Sequence, residues 1–417
     1  MSGNNSGQAR YRDVFAHPLA TRLWLAATLS FFGDYIGLGA LLLVAYDRAG
    51  DRAFGPAAVF AVQAIPAVVV ATAIGPWLDR IPRIEGLISL CLTGAVSLLL
   101  PIAFTGLWPV LVTAAILGAC TTAFNSIRSG AIAEGMPRHV RGRLLALISL
   151  SLQVAEVIGY FAGASVELAI GARPALLADA GTFVAAALLL AGSGMGKPAG
   201  TRRRSSLTTG IRTIFTDRTL RVLTPVAWVG LTVAALPATL ATAALTGSHR
   251  GWVPAAMAAA GAGLGISGTV IGRSSMAERV SGQFWCITIG GALFMLTASG
   301  MAASPLFIVA GNFAVGAGMG WSVAAQTTFV LVIDPDRIAN ATSVMIASVI
   351  ALNGLGAVVF GAAATSLGVP AAYALAGASQ VVAGLAGLGY GRAHPGALDI
   401  GRPEQVPAPL GERDQSG

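Results

Sequence analysis

Apolar residues fall along this chain in blocks of about twenty or more, from near residue 19 to near residue 391, and polar residues gather in the short stretches between them. A helix rises about 1.5 Å per residue, so a block of roughly 20 residues crosses the hydrocarbon core of a bilayer. Only structures that satisfy their own backbone hydrogen bonds survive there, and unbroken apolar runs without strict alternation select helices over barrel strands. The pattern predicts twelve spans, at about 19–43, 56–76, 84–104, 108–131, 144–169, 173–193, 221–245, 253–273, 283–302, 305–331, 341–366 and 370–391. The expected fold is an all-α membrane protein of twelve transmembrane helices.

Composition agrees. Hydrophobic residues make up 55% of the chain and charged residues 11%, whereas an average soluble domain carries about 25% charged residues. The charges are also distributed unevenly. Of the 26 Lys and Arg residues, 21 fall on the side of Met1, four fall on the opposite side, and Arg128 lies within the fourth span. The positive-inside rule then places both termini in the cytoplasm of a multi-pass cell-membrane protein. The net charge of +8 is therefore a topological signal and not a nucleic-acid site, and the same holds for Arg202-Arg203-Arg204. No cleavable signal is expected in the polar start, 1–18. Cys91, Cys120 and Cys286 sit in separate spans, and His17, His139, His249 and His394 stand alone, so neither disulfides nor a metal site is indicated.

Shifted by about 198 positions, the chain matches itself. Pro137 falls on Pro335, Gly118 on Gly316, Gly163 on Gly361 and Arg128 on Gln326, and Asp79-Arg80 falls on Glu278-Arg279 at an offset of 199. Such internal symmetry is common in transporters. It divides the chain into a six-helix half (1–193), a cytoplasmic linker (194–220) with a short helix expected over 211–220, a second six-helix half (221–391), and a tail (392–417) whose composition predicts disorder.

Gly75-Pro-Trp-Leu-Asp79-Arg80-Ile-Pro82-Arg83, after the second span, resembles the G-x-x-x-D-R-x-G-R motif of the major facilitator superfamily, with Pro82 where that motif has Gly. Within that superfamily, Arg22-Leu23-Trp24, the run Ser30 to Asp34, Phe124 to Arg128, and Pro137 resemble the macrolide-efflux and siderophore-exporter-like branch of drug:proton antiporters. Gly159 and Gly163 partly resemble the antiporter motif of drug exporters, without its Gly-Pro step. The resemblance implies two pseudo-symmetric six-helix halves, and a latch between helix ends built from Asp79, Arg80 and Arg83 and, in the second half, Glu278 and Arg279.

Charge at bilayer depth costs about 2.5–3.5 kcal/mol per residue on insertion scales, so the acids found there need a reason. Asp34 lies about fifteen residues into the first span and Glu156 about twelve into the fifth, near the midplane. Low dielectric favours a protonated carboxyl and an approaching cation favours an ionised one, so such a group can trade a proton for substrate. The competing reading is a carboxyl hydrogen-bonded between helices for packing alone. Arg128 reads equally as a gate or as an ordinary inner-face charge, and Asp179, in the outer third of the sixth span, as an outer gate or a snorkelling acid. Gln63, Asn125, Gln153, Asn312, Gln326, Asn353 and Gln380 mark polar faces, as cavity lining or as interhelical hydrogen bonds.

The run Gly263-Leu-Gly265-Ile-Ser-Gly268 matches a dinucleotide pattern but lies inside an apolar span with no preceding strand, where close helix packing explains it. With no phosphate-binding loop in the chain, uphill transport must draw on an ion gradient and needs no cofactor. The reading is a non-enzymatic, monomeric secondary transporter whose partners are protons, lipid and a small molecule: a proton-coupled exporter of hydrophobic or amphipathic drugs or secondary metabolites. Import of a polar nutrient is the alternative, and a non-transporting membrane sensor a more distant one.

Overall fold

The computed structural model describes residues 11–50, 52–74, 81–193, 207–272, 279–302, 304–333 and 338–394. Among them are twelve helices long and apolar enough to cross a membrane, numbered here α1 (Pro18–Arg48), α2 (Phe54–Thr72), α3 (Arg83–Ala103), α4 (Trp108–Gly135), α5 (Val140–Ile170), α6 (Ala172–Ala191), α7 (Leu220–Ala244), α8 (Gly247–Ile271), α9 (Val280–Gly300), α10 (Pro305–Phe329), α11 (Ala347–Leu367) and α12 (Val369–Ala393). The described residues hold no β-strand, and the chain is an all-α, multi-pass membrane protein as its apolar pattern predicts. Twelve alternating spans bring both termini to one face of the bundle, the terminal face.

Helix ends follow local chemistry. Proline occupies one of the first two positions of the helices starting at Pro18, Leu100, Trp108, Leu236, Pro305 and Val369, where its missing N–H costs nothing and its fixed φ suits helix entry. The α5–α6 and α11–α12 hairpins each turn on one glycine, Gly171 at φ 88° and Gly368 at φ 91°, values that residues with a Cβ rarely adopt. The two glycines are 197 positions apart, so the halves repeat this turn.

Two details depart from the sequence expectation. The linker helix runs Leu207–Thr216, four residues earlier than expected, and Ile214 on it is buried in the second half's core. The Asp217 carboxylate then accepts the N–H groups of Thr219 and Leu220 at 2.9 and 2.8 Å and so starts α7. That span is itself interrupted between Leu220–Thr232 and Leu236–Ala244, because Pro237 near the start of the second segment cannot donate a backbone hydrogen bond. The linker's first part, 194–206, and the tail beyond 394 lie outside the described residues.

Each half is knitted at glycines. A Cβ on Gly118 of α4 would overlap the carbonyl of Gln63 on α2, and one on Gly316 of α10 would overlap the carbonyl of Ala260 on α8. The match between Gly118 and Gly316 is thus one contact made twice. Gly163 of α5 abuts the carbonyl of Ile36 on α1, but its sequence counterpart Gly361 faces Ala57 in the other half. The equivalent role in the second half falls to Gly356 of α11, against the carbonyl of Thr232 on α7. Small residues at such crossings let helices approach closely, which matters where no hydrophobic effect drives them together.

The outer surface is apolar: Val96, Leu188, Val270 and Val382 are 64–70% exposed, as expected for helices facing lipid tails. The halves meet along α2 with α11 and α5 with α8. At the face opposite the termini one apolar cluster takes residues from both halves, Leu245, Val253 and Met257 joining Leu43 and Val44. Toward the terminal face the second half closes its own cluster, around Leu220, Phe284 and Trp321, without residues of the first.

Candidate functional site

Asp34 stands at the centre of α1, hydrogen-bonded to Ser30 one turn earlier. It borders a small cavity, about 10 Å³ of room for the centre of a water molecule, walled by Phe31 on α1, Cys91 on α3, Cys120, Phe124 and Asn125 on α4, and Phe183 on α6. The acid therefore lies inside the first half, between α1 and α4. The Oδ1 atom of Asn125 is buried without a hydrogen-bond partner.

Two of these walls also hold Arg128. Its guanidinium carbon lies 5.2 Å from the ring centroid of Phe31 and 5.9 Å from that of Phe124. Arg128 is 9% exposed, and its Nε and Nη1 atoms have no hydrogen-bond partner. Cation–π contact with desolvated rings, up to about 2 kcal/mol each, replaces the carboxylate that a buried guanidinium would ordinarily find. The two rings that hold Arg128 thus also wall the cavity beside Asp34.

Asp179 corrects one expectation. It is 0% exposed, which removes the snorkelling reading; its carboxyl oxygens lie against Gly33 and Gly37 on α1. Glu156 is only partly buried and faces Gly261 of α8 in the other half. Beside it Tyr35 and Tyr160 pair edge to face at 5.1 Å. The two acids expected at matching depth are therefore on different faces: Asp34 inside the first half, Glu156 at the seam between halves.

The polar residues divide. Asn312 is fully buried and donates to the Ala256 carbonyl at 3.0 Å while accepting from the Tyr373 hydroxyl at 2.9 Å; contrary to the cavity-lining reading, it ties α10 to α8 and α12. Gln380 is likewise buried, against the Gly230 carbonyl. Gln153 and Asn353 are partly buried, each with a side-chain oxygen that has no partner. Gln63 is also partly buried, and Gln326 is exposed.

Of the latch residues, Asp79, Arg80 and Glu278 lie outside the described residues, and Arg279 is exposed at the start of α9. Arg83 is 3% exposed and pairs with Glu134 at the end of α4, Nη2 donating at 2.7 Å and Nε at 3.3 Å. Gly130, one turn before Glu134, leaves room for that guanidinium. Sequence reasoning missed Glu134; an acid near the end of a span, one turn after a glycine, was the available signal. It also missed a pair joining the halves at the opposite face, Arg250 donating to Asp47 at 2.6 Å.

Residues 23–282 match the family described as Major Facilitator Superfamily. No curated protein matches the chain in sequence. Among solved structures, peptide transporter POT in complex with sulfate aligns with TM-score 0.73 at 13% identity, covering 94% of this chain and 97% of that one. The nucleoside transporter NupG gives TM-score 0.67 at 15% identity, covering 89% and 98%. A bacterial homolog of the human lysosomal transporter Spinster, in an inward-facing, unoccupied conformation, gives 0.65 at 14%, covering 90% and 95%. These identities speak for a shared fold.

Proposed function

Because the chain belongs to the major facilitator superfamily, we propose that it is a secondary transporter that couples proton entry to the export of hydrophobic or amphipathic small molecules across the cell membrane, with both termini cytoplasmic. The observation that carries this reading is the setting of Asp34: a mid-span carboxyl beside a small cavity whose walls include Phe31 and Phe124, the two rings on which Arg128 rests. A proton on Asp34 leaves Arg128 to its rings; an ionised Asp34 attracts it. Loading and release of the proton thereby favour different placements of α1 against α4, the differential contact that a switch between conformations requires.

Export is favoured over nutrient import by the second half, whose described spans carry charge only near their ends, at Arg221, Arg250 and Arg392. One proton entering down 100 mV supplies about 2.3 kcal/mol, enough for a gradient of roughly fifty-fold.

The test is flux of hydrophobic drugs into and out of proteoliposomes under an imposed pH gradient. The wild-type protein should move them against their gradient in the direction opposite to protons, Asp34→Asn should equilibrate them only, and Asp34→Glu should keep part of the uphill activity. Undiminished uphill transport by Asp34→Asn would remove Asp34 from the coupling role.

A further inference from the structure

We infer that Asp179 is a second proton-carrying carboxyl, forming with Asp34 a two-carboxylate site in the seam between α1 and α6. The inference rests on Asp34 being a proton carrier but adds a residue, and a second proton, to that reading.

Gly33 and Gly37, one turn apart on α1, form a notch into which the Asp179 carboxyl fits: Oδ1 abuts Gly33 and Oδ2 abuts Gly37, and a Cβ at either position would overlap it. Asp34 sits on the same turn, and the two carboxyls are close enough for their charges to interact. Asp179 is 0% exposed, yet neither of its oxygens has a hydrogen-bond partner. The Thr182 hydroxyl, three residues on, donates to the backbone carbonyl of Asp179 at 2.7 Å.

A carboxyl kept only to tie helices would look like Asn312, bonded at both ends of its amide, since buried polar groups in native structures are nearly always satisfied. An unpaired ionised carboxylate at that depth is strongly unfavourable, and a second one beside it more so. The pair therefore holds protons in this conformation and can give them up only when the seam opens to water or to a cation.

From the helices packed against α6, the titratable groups around the seam are Asp34 on α1 and Cys91 on α3, the latter on the wall of the Asp34 cavity. On α5, Tyr160 pairs with Tyr35 and Glu156 faces α8, while Arg128 is stacked on its rings. No cation among the described residues faces Asp179 to fix it in the ionised form.

Infrared difference spectroscopy of the detergent-purified full chain, titrated between about pH 5 and pH 10, counts protonated carboxyls through their C=O stretch. Relative to wild type, Asp179→Asn should titrate one carboxyl fewer, Asp34→Asn one fewer, and the double variant two fewer. An unchanged count in Asp179→Asn, meaning a proton that never leaves, would overturn the proposal. If Asp179→Asn does not fold, Asp34→Asn decides: it still contains Asp179, and pH-dependent loss of a buried, slowly deuterating carboxyl from it supports the inference while absence of that loss refutes it. Should Asp34→Asn instead titrate the wild-type number, the Asp34 reading fails while the Asp179 arm still stands on its own count.

Discussion

The pair between Arg83 and Glu134 shows how much a single residue's surroundings decide. Its guanidinium end is 3% exposed and its carboxylate end 23%, so loss of the charge on Glu134 takes a charged hydrogen-bond partner from a buried cation. Hydrogen bonds to charged groups are worth about 1.5–3 kcal/mol, and Glu134→Gln should lower the thermal unfolding midpoint of the purified protein accordingly, with Glu134→Asp intermediate. A midpoint equal to wild type would mean that solvent already screens the pair. Residue chemistry was only half legible in the sequence. Asp34, Arg128 and Asp179 were visible because charge inside an apolar block is conspicuous. That Arg128 would rest on Phe31 and Phe124, that Asp179 would face Gly33 and Gly37, and that Glu156 would point at the other half could not be read, because side-chain direction depends on which neighbour each helix face meets. Glu134 escaped because the end of a span is where an unremarkable charge is expected.

Helices were read almost entirely from apolar block length, and their ends fell within about six residues, the largest offsets being at α8 and α11, where Gly247–Trp252 forms a 3-10 turn and the helix containing α11 begins at Ile338. What block length cannot encode is a break within a block, such as the interruption of α7 before Pro237. Internal repetition was also only partly faithful: Gly118 and Gly316 play one role, but the role of Gly163 passes to Gly356. This has a direct test. A side chain at Gly163 would strike the Ile36 backbone carbonyl, which cannot rotate away, whereas Gly181 on α6 has open space around it. Gly163→Val should therefore reduce the yield and thermal stability of folded protein sharply, and Gly181→Val should leave both near wild type. Equal effects would show that the α1–α5 crossing tolerates separation.

For the whole molecule, the asymmetry of Lys and Arg makes the orientation testable in a background lacking Cys91, Cys120 and Cys286: a cysteine at position 50 should react with an impermeant reagent from outside intact cells, and one at position 201 only after the membrane is opened. The opposite result at either position would reverse the proposed orientation. Within each half, glycine-mediated contacts between backbones make stiff units, while at the face opposite the termini Asp47 and Arg250 clasp the halves with side chains 38% and 37% exposed. Exposed ion pairs contribute only about 0.2–1 kcal/mol, a few-fold bias in an equilibrium, and screening shrinks it as the Debye length falls from about 30 Å at 0.01 M salt to about 3 Å at 1 M. The resting balance between the two openings of this transporter should thus respond to the ionic strength at the face opposite the termini: dilute surroundings hold that side shut, and brine loosens it.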